Sequence, residues 1–126
     1  MRHTQKLREN YLFKRLYRRG KSSVGSFVVL YYHKAGTRPY NRLGITTTKK
    51  VGCAVLRNRA RRVIAESYRL LESEIKTGYD LVIVARSGAA NVKMQTVKAD
   101  LQRLLSKIGG IQTPAHTRPG RQKEGP

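Results

Sequence analysis

The stretch Lys49 to Arg69, KKVGCAVLRNRARRVIAESYR, constrains this chain more than any other. A glycine-containing turn leads into a helical pattern in which Arg57, Asn58, Arg59, Arg61 and Arg62 crowd together. On a helix advancing about 100° per residue, Ala60, Val63, Ile64, Ser67 and Leu71 gather into one stripe suited to a core. Asn58, Arg59, Arg61, Arg62 and Arg69 spread over an arc of roughly 160° away from it, with Glu66 the one acid among them. A solvated helix face ordinarily mixes both signs, so that i,i+4 pairs form. Like charges crowded on one face cost folding energy unless a polyanion neutralises them. That face suits RNA or DNA.

The rest of the composition points the same way. The chain has 126 residues, enough for one domain with one modest core. Its 27 Lys and Arg against 7 Asp and Glu give a net charge of +20, which argues for a polyanionic partner. Seven Tyr and no Trp supply rings for stacking as well as packing. The single Cys excludes an internal disulfide and a cysteine-based zinc cluster, and fits a reducing compartment. No apolar run approaches the roughly 20 residues a membrane span needs, so no membrane partner is expected. The N-terminal MRHTQKLREN lacks the apolar stretch of a signal peptide. The expectation is a cytoplasmic protein, or an organellar one whose transit segment has been removed.

Taken in order, Met1 to Arg8 is basic and extended. Asn10 is expected to cap a first helix that runs to Tyr17–Arg19 and ends with Gly20 as its C′ residue. Leu12 and Leu16 face the core; Phe13 and Tyr17 form an adjacent aromatic ridge, which is either more core or a stacking platform for unpaired bases. Ser26 to His33 reads as a strand, with Val24 in it or in a short separate one, and Tyr40 to Lys49 as a second with Leu43, Ile45 and Thr47 on one face. After the central helix, Tyr79 to Arg86 is nearly continuous apolar sequence, placed in the sheet interior with both faces covered. Asn91 is expected to cap a third helix carrying Met94, Val97, Leu101, Leu104, Leu105 and Ile108 inward. The reading is one domain over 1–108, followed by a disordered basic tail over 109–126. The fold class is an α/β two-layer sandwich of order α-β-β-(β)-α-β-α, with a parallel crossover through the central helix.

The sequence carries little that resembles catalytic chemistry. His3, His33 and His116 lie far apart, and neither H-x-x-x-H nor C-x-x-C spacing occurs. The carboxylates are scattered, and Glu72 and Glu74 point to different faces of a helix. Gly20-Lys21-Ser22 lacks the upstream glycine and strand of a phosphate-binding loop. Cys53, at the start of the central helix, is read as a small packing residue. The chain is expected to carry no catalytic side chain and to bind no metal alone.

The order Lys49-Lys50-Val51-Gly52, Ala54-Val55, Arg57-Asn58-Arg59, Arg61-Arg62, then Glu66, Tyr68 and Arg69 closely resembles the signature of the bacterial ribonuclease P protein component. Other family features follow in order over residues 6 to 108: Phe13 and Tyr17, Gly20, Ser22, Phe27 and Tyr31, Arg42-Leu43-Gly44, then the late apolar strand and last helix. The resemblance implies a fold like the second domain of ribosomal protein S5, with a left-handed crossover. It implies two partners, the ribonuclease P catalytic RNA and precursor tRNA, with no obligate protein partner. The RNA would remove the 5′ leader using Mg2+ of its own. Carried over by position, Lys49, Lys50, Arg57, Asn58, Arg59, Arg61, Arg62 and Arg69 would face the catalytic RNA, while Phe13, Tyr17, Tyr31, Arg15 and Ser22 would line a leader cleft. Cys53 stands where the family often has Asn, and Ala65 where many members carry Arg.

Other readings account for less. A ribosomal or ribosome-assembly protein shares the charge but lacks the ordered motif set. A DNA reader with its Arg helix in a major groove leaves the aromatic first helix unexplained. A stand-alone nuclease lacks a carboxylate or His cluster.

Overall fold

The computed structural model of the chain describes residues 4–34, 36 and 38–110. Five strands form one sheet: β1 (Thr4–Lys6), β2 (Lys21–Val24), β3 (Val28–Lys34), β4 (Asn41–Thr46) and β5 (Tyr79–Ala85). Three helices accompany them: α1 (Asn10–Arg19), α2 (Ala54–Leu71) and α3 (Met94–Lys107). The strand order is β1-β4-β5-β3-β2. β5 sits at the centre, parallel to β4 and antiparallel to β3, as its apolar run requires. The expected parallel crossover is the β4–α2–β5 connection. Val24 belongs to the short separate strand β2, and β1 is a strand the sequence reading left as extended chain.

β5 explains the layering. Leu81 and Ile83 point to one face, where they meet Ile64, Tyr68 and Leu71 of α2 and Val97, Leu101 and Leu104 of α3 in the main core. Val82 points to the other face and packs with Leu7, Leu12 and Leu16. A strand apolar on both faces needs a cover on each. The expected two-layer sandwich is therefore corrected: α1 lies on the opposite face of the sheet from α2 and α3, and makes a third, partial layer.

Several boundaries also shift, each for a local reason. Glu9, not Asn10, is the N-cap of α1; its carbonyl accepts from the Leu12 and Phe13 amides, which puts Asn10 inside the helix. Gly20 ends α1 in an extended conformation (φ −72°, ψ 167°), not a left-handed one. Glycine is needed there for proximity, since a Cβ would sit 2.6 Å from the Leu16 carbonyl oxygen. β3 begins at Val28, two residues later than expected, because the Ser26, Phe27 and Val28 amides all donate to Asp100 of α3. β4 stops at Thr46, and Lys49–Val51 form a 3-10 turn. α3 is capped by Lys93 rather than Asn91, which ends a 3-10 turn at Ala89–Asn91 that is buried against α2. Gly109 and Gly110 close α3, with the Gly110 carbonyl accepting from the Lys76 amide. The remainder of the expected tail, 111–126, lies outside the described residues.

A buried polar chain pins β1 and β4 to the end of α2. Thr4 Oγ1 donates to Glu72 Oε2 at 2.6 Å and accepts from the Tyr68 hydroxyl at 2.9 Å. Asn41 Nδ2 donates to the Lys76 carbonyl at 3.0 Å, and Asn41 Oδ1 accepts from the Tyr79 amide at 2.9 Å. Each buried polar group here has a partner, as burial requires. Tyr68, fully buried, was read in the sequence only as a member of the motif.

Candidate nucleic-acid interface

Two surfaces meet at the edge of the sheet formed by β1 and β4. The first is aromatic. Phe13 projects from α1 over Gly44 of β4, where a Cβ would lie 2.5 Å from the ring. One turn on, Tyr17 is 44% exposed and meets Tyr31 of β3 edge-to-face, with ring centroids 4.9 Å apart. Phe13 is half-buried against Leu7, Leu12, Leu16 and Val82, and Tyr17 stands out from that cluster. Ser22 pairs directly with Tyr31 across β2 and β3, so its hydroxyl shares the aromatic face. Val84 continues this surface along β5. Such a surface offers π-faces and little charge, which suits unpaired bases of any sequence.

Arg15 points elsewhere on α1. It lies about 160° around the helix from Phe13 and lines a different hollow with Arg19, His33 and Asp80.

The second surface is the exposed flank of α2. Asn58, Arg61 and Arg62 are exposed, and Asn58 Oδ1 accepts from Arg61 Nη1 at 2.8 Å, fixing the guanidinium. The other arginines diverge. Arg57 donates to the Gly52 carbonyl at 3.4 Å, and Arg59 Nε donates to the Ala90 carbonyl at 2.8 Å on the α3 side. Arg69 holds Glu66 in a two-pronged pair; that guanidinium keeps the Glu66 carboxyl below the usual carboxylate range, and Glu66 in turn raises Arg69. Each of these three keeps further donors, because a guanidinium has five, but each is also anchored to the protein. Lys49 and Lys50 are exposed on the 3-10 turn that precedes α2.

Phe13 of the first surface and Arg61 and Arg62 of the second line one hollow of ≈ 590 Å³. Phe13 and Gly44 line it on the α1 face of the sheet, and Ile45, Arg61, Arg62 and Ala65 on the α2 face, with Thr4, Gln5 and Lys6 of β1 between them. At Ala65 a methyl group stands where the related pattern carries an arginine, and the hollow stays open beside its two guanidinium groups. Cys53 is the N-cap of α2, exposed and without a side-chain capping bond. The Leu56 and Val55 amides and the Arg57 charge hold its thiol below the usual range. Gly44 was read only within Arg42-Leu43-Gly44, and no sequence signal tells which ring would rest upon it.

Among the described residues, no three His, Cys, Asp or Glu side chains converge as metal ligands, and no helix is long and apolar enough to cross a membrane. What remains is a surface of donors and rings.

A basic α/β protein with exposed and half-buried aromatic rings on one face of its sheet and an arginine-crowded helix on the other is the class that this architecture defines. The chain belongs to the ribonuclease P family: the profile of that family, Ribonuclease P, matches residues 1–109. It is 42% identical over 102 residues to the ribonuclease P protein component of Thermoanaerobacter sp., covering 81% of this chain and 87% of that one. Against the ribonuclease P protein component of Clostridium botulinum (strain Langeland) it is 45% identical over 105 residues, covering 82% and 94%. Its fold matches the structure of the Staphylococcus aureus RNase P protein with a TM-score of 0.75 at 29% identity, over 85% of this chain and 97% of that one.

Proposed function

We propose that this chain is the protein subunit of ribonuclease P, which binds a catalytic RNA and the 5′ leader of precursor tRNA and so promotes removal of the leader by the RNA. The observation that carries this reading is the shared hollow, in which Phe13 and the Arg61–Arg62 pair face one space. A base seated against the Phe13, Tyr17 and Tyr31 rings would leave its phosphates within reach of the α2 guanidinium groups. The protein thus joins a single strand to a structured RNA at one edge. Arginine forks match phosphate oxygens in pairs, and such contacts position RNA without reading its sequence. Stacking in the cleft tolerates varied leaders, as a factor serving many precursors needs.

In this reading Lys49, Lys50, Arg57, Asn58, Arg59, Arg61, Arg62 and Arg69 face the catalytic RNA, and Phe13, Tyr17, Tyr31 and Ser22 hold the leader. Mg2+ is proposed to belong to the RNA. The protein's part is to screen phosphate repulsion, which lowers the magnesium the RNA requires. The β4–α2–β5 crossover is proposed to be left-handed, as in the second domain of ribosomal protein S5, and the working compartment is proposed to be the cytoplasm.

The test is cleavage of a precursor tRNA by a bacterial ribonuclease P RNA at low magnesium, with the protein present, absent, or alone. Stimulation that depends on the RNA, with nothing cut by the protein alone, is the expected result. Tight binding to structured RNA without any stimulation would replace this reading with that of a ribosomal or assembly protein.

A further inference from the structure

α1 divides the open face of the sheet into two unlike halves. Tyr31 and His33 stand two residues apart on β3 and share that face. Tyr31 meets Tyr17 on one flank of α1. His33 lies on the other flank, where it lines a hollow of ≈ 400 Å³ with Arg15 and Arg19; the Lys34 side chain turns to the opposite face, over the Tyr79 ring. The acid of that hollow, Asp80, is 2% exposed and already accepts from Arg38 at 2.8 Å. Farther along the same flank, a second hollow of ≈ 620 Å³ is lined by Lys6, Arg8 and Arg42 against Glu9. Arg42, Asp80 and His33 stand abreast across β4, β5 and β3, so both hollows open on one side of the sheet.

Helix-end electrostatics account for only part of this arrangement. Arg18 and Arg19 in the last turn of α1 complement its dipole. Arg15 sits in mid-helix, and His33 and Arg42 come from strands, so that effect does not bring them together. Concave like charge of this kind is costly without an anion to meet it. The rings on this half do not form a stacking pair. Tyr40 is covered by Arg38, whose guanidinium carbon is 5.0 Å from the ring centroid, and Tyr11 stands at the far end of α1. Guanidinium groups without a stacking pair suit a regular phosphate backbone whose bases are already paired. Double-stranded RNA is recognised mainly through its shape and backbone.

We propose that this basic half, centred on Arg15, Arg19 and His33, is a docking surface for the phosphate backbone of a base-paired RNA, separate from the aromatic cleft. It rests on the reading of the chain as an RNA-binding subunit and adds a second contact to it. The experiment measures binding of a blunt RNA duplex of about 16 base pairs, and of a single strand of the same length, over a range of salt. Four full-length proteins are compared: the wild type, Arg15→Gln/Arg19→Gln, Phe13→Ala, and Lys93→Gln/Lys107→Gln as a charge-matched control on α3. All four substituted basic residues are exposed, so equal melting temperatures will establish that the fold is kept.

The Arg15/Arg19 variant is expected to bind duplex about tenfold more weakly than the control, with a salt slope reduced by about 2, while its binding of single strand matches the control. Phe13→Ala is expected to show the reverse preference. Equal losses in the control would mean that only net charge matters and would overturn the proposal. Equal losses on duplex and single strand would also overturn it, by making this half part of the leader path. Each outcome is read from binding alone, so a failure of the cleavage assay leaves the comparison independent.

Discussion

An alanine at position 44 would place its methyl carbon 2.5 Å from the Phe13 ring, and the ring would have to leave β4. Overpacking of this kind costs about 1–3 kcal/mol. Gly44→Ala is therefore expected to lower stability modestly in urea titrations and to weaken binding of leader-bearing RNA more than that of leaderless RNA. Equal weakening of both would separate Gly44 from the cleft. Asp100 makes the opposite kind of contribution, structural and remote from RNA. Burial pushes its carboxyl up, but the Phe27 and Ser26 amides, Arg103 and the Val28 amide outweigh that and hold it below its ordinary value of 3.8. A depressed folded pKa stabilises fully above the unfolded value, and the contribution is lost as pH falls through the folded one. Asp100→Ala would leave three backbone donors without this acceptor, at a cost of about 3 kcal/mol at neutral pH. The gap from wild type should narrow below pH 3.8; a gap independent of pH would show that the charge is not what ties α3 to the β2–β3 turn.

At the scale of elements, what was legible had a period. The α2 stripe of Ala60, Ile64, Ser67 and Leu71, the two-sided β5 and the inward row of α3 each repeat at the spacing of their structure, and each is where the sequence puts it. What escaped was set by contacts between distant segments. β1 is three residues long and owes its existence to pairing with β4 and to the Thr4–Glu72–Tyr68 bonds. The cap of α3 moved because Ala89 and Ala90 pack under α2. Placement of α1 on the second face likewise depends on tertiary packing. Thr4→Val tests the pinning of β1, since it keeps the shape and removes the hydroxyl that donates to a carboxylate. A loss of about 2 kcal/mol is expected, together with faster amide exchange along β1 and β4. Unchanged exchange would mean that backbone pairing alone holds the strand.

Across the whole molecule, a charge of +20 makes every RNA affinity salt-dependent, so bare affinities say little about which surface is engaged. The proposed division of labour needs a measurement in which the two surfaces respond differently. Arg61→Gln/Arg62→Gln removes two exposed guanidinium groups and no core contact. It should weaken assembly with the catalytic RNA and lower the salt slope by about 2, whether or not the substrate carries a leader. Phe13→Ala should leave that assembly and its slope intact, and should weaken precursor binding by about 1–3 kcal/mol, the worth of a stacked base, while sparing mature tRNA. Because Phe13 and the arginine pair line one hollow, the triple variant is expected to lose less on precursor than the two separate losses added together, as happens for neighbours that share a ligand. Strict additivity would place leader and catalytic RNA on independent surfaces, and the reading of the β1–β4 edge as their meeting point would then fail.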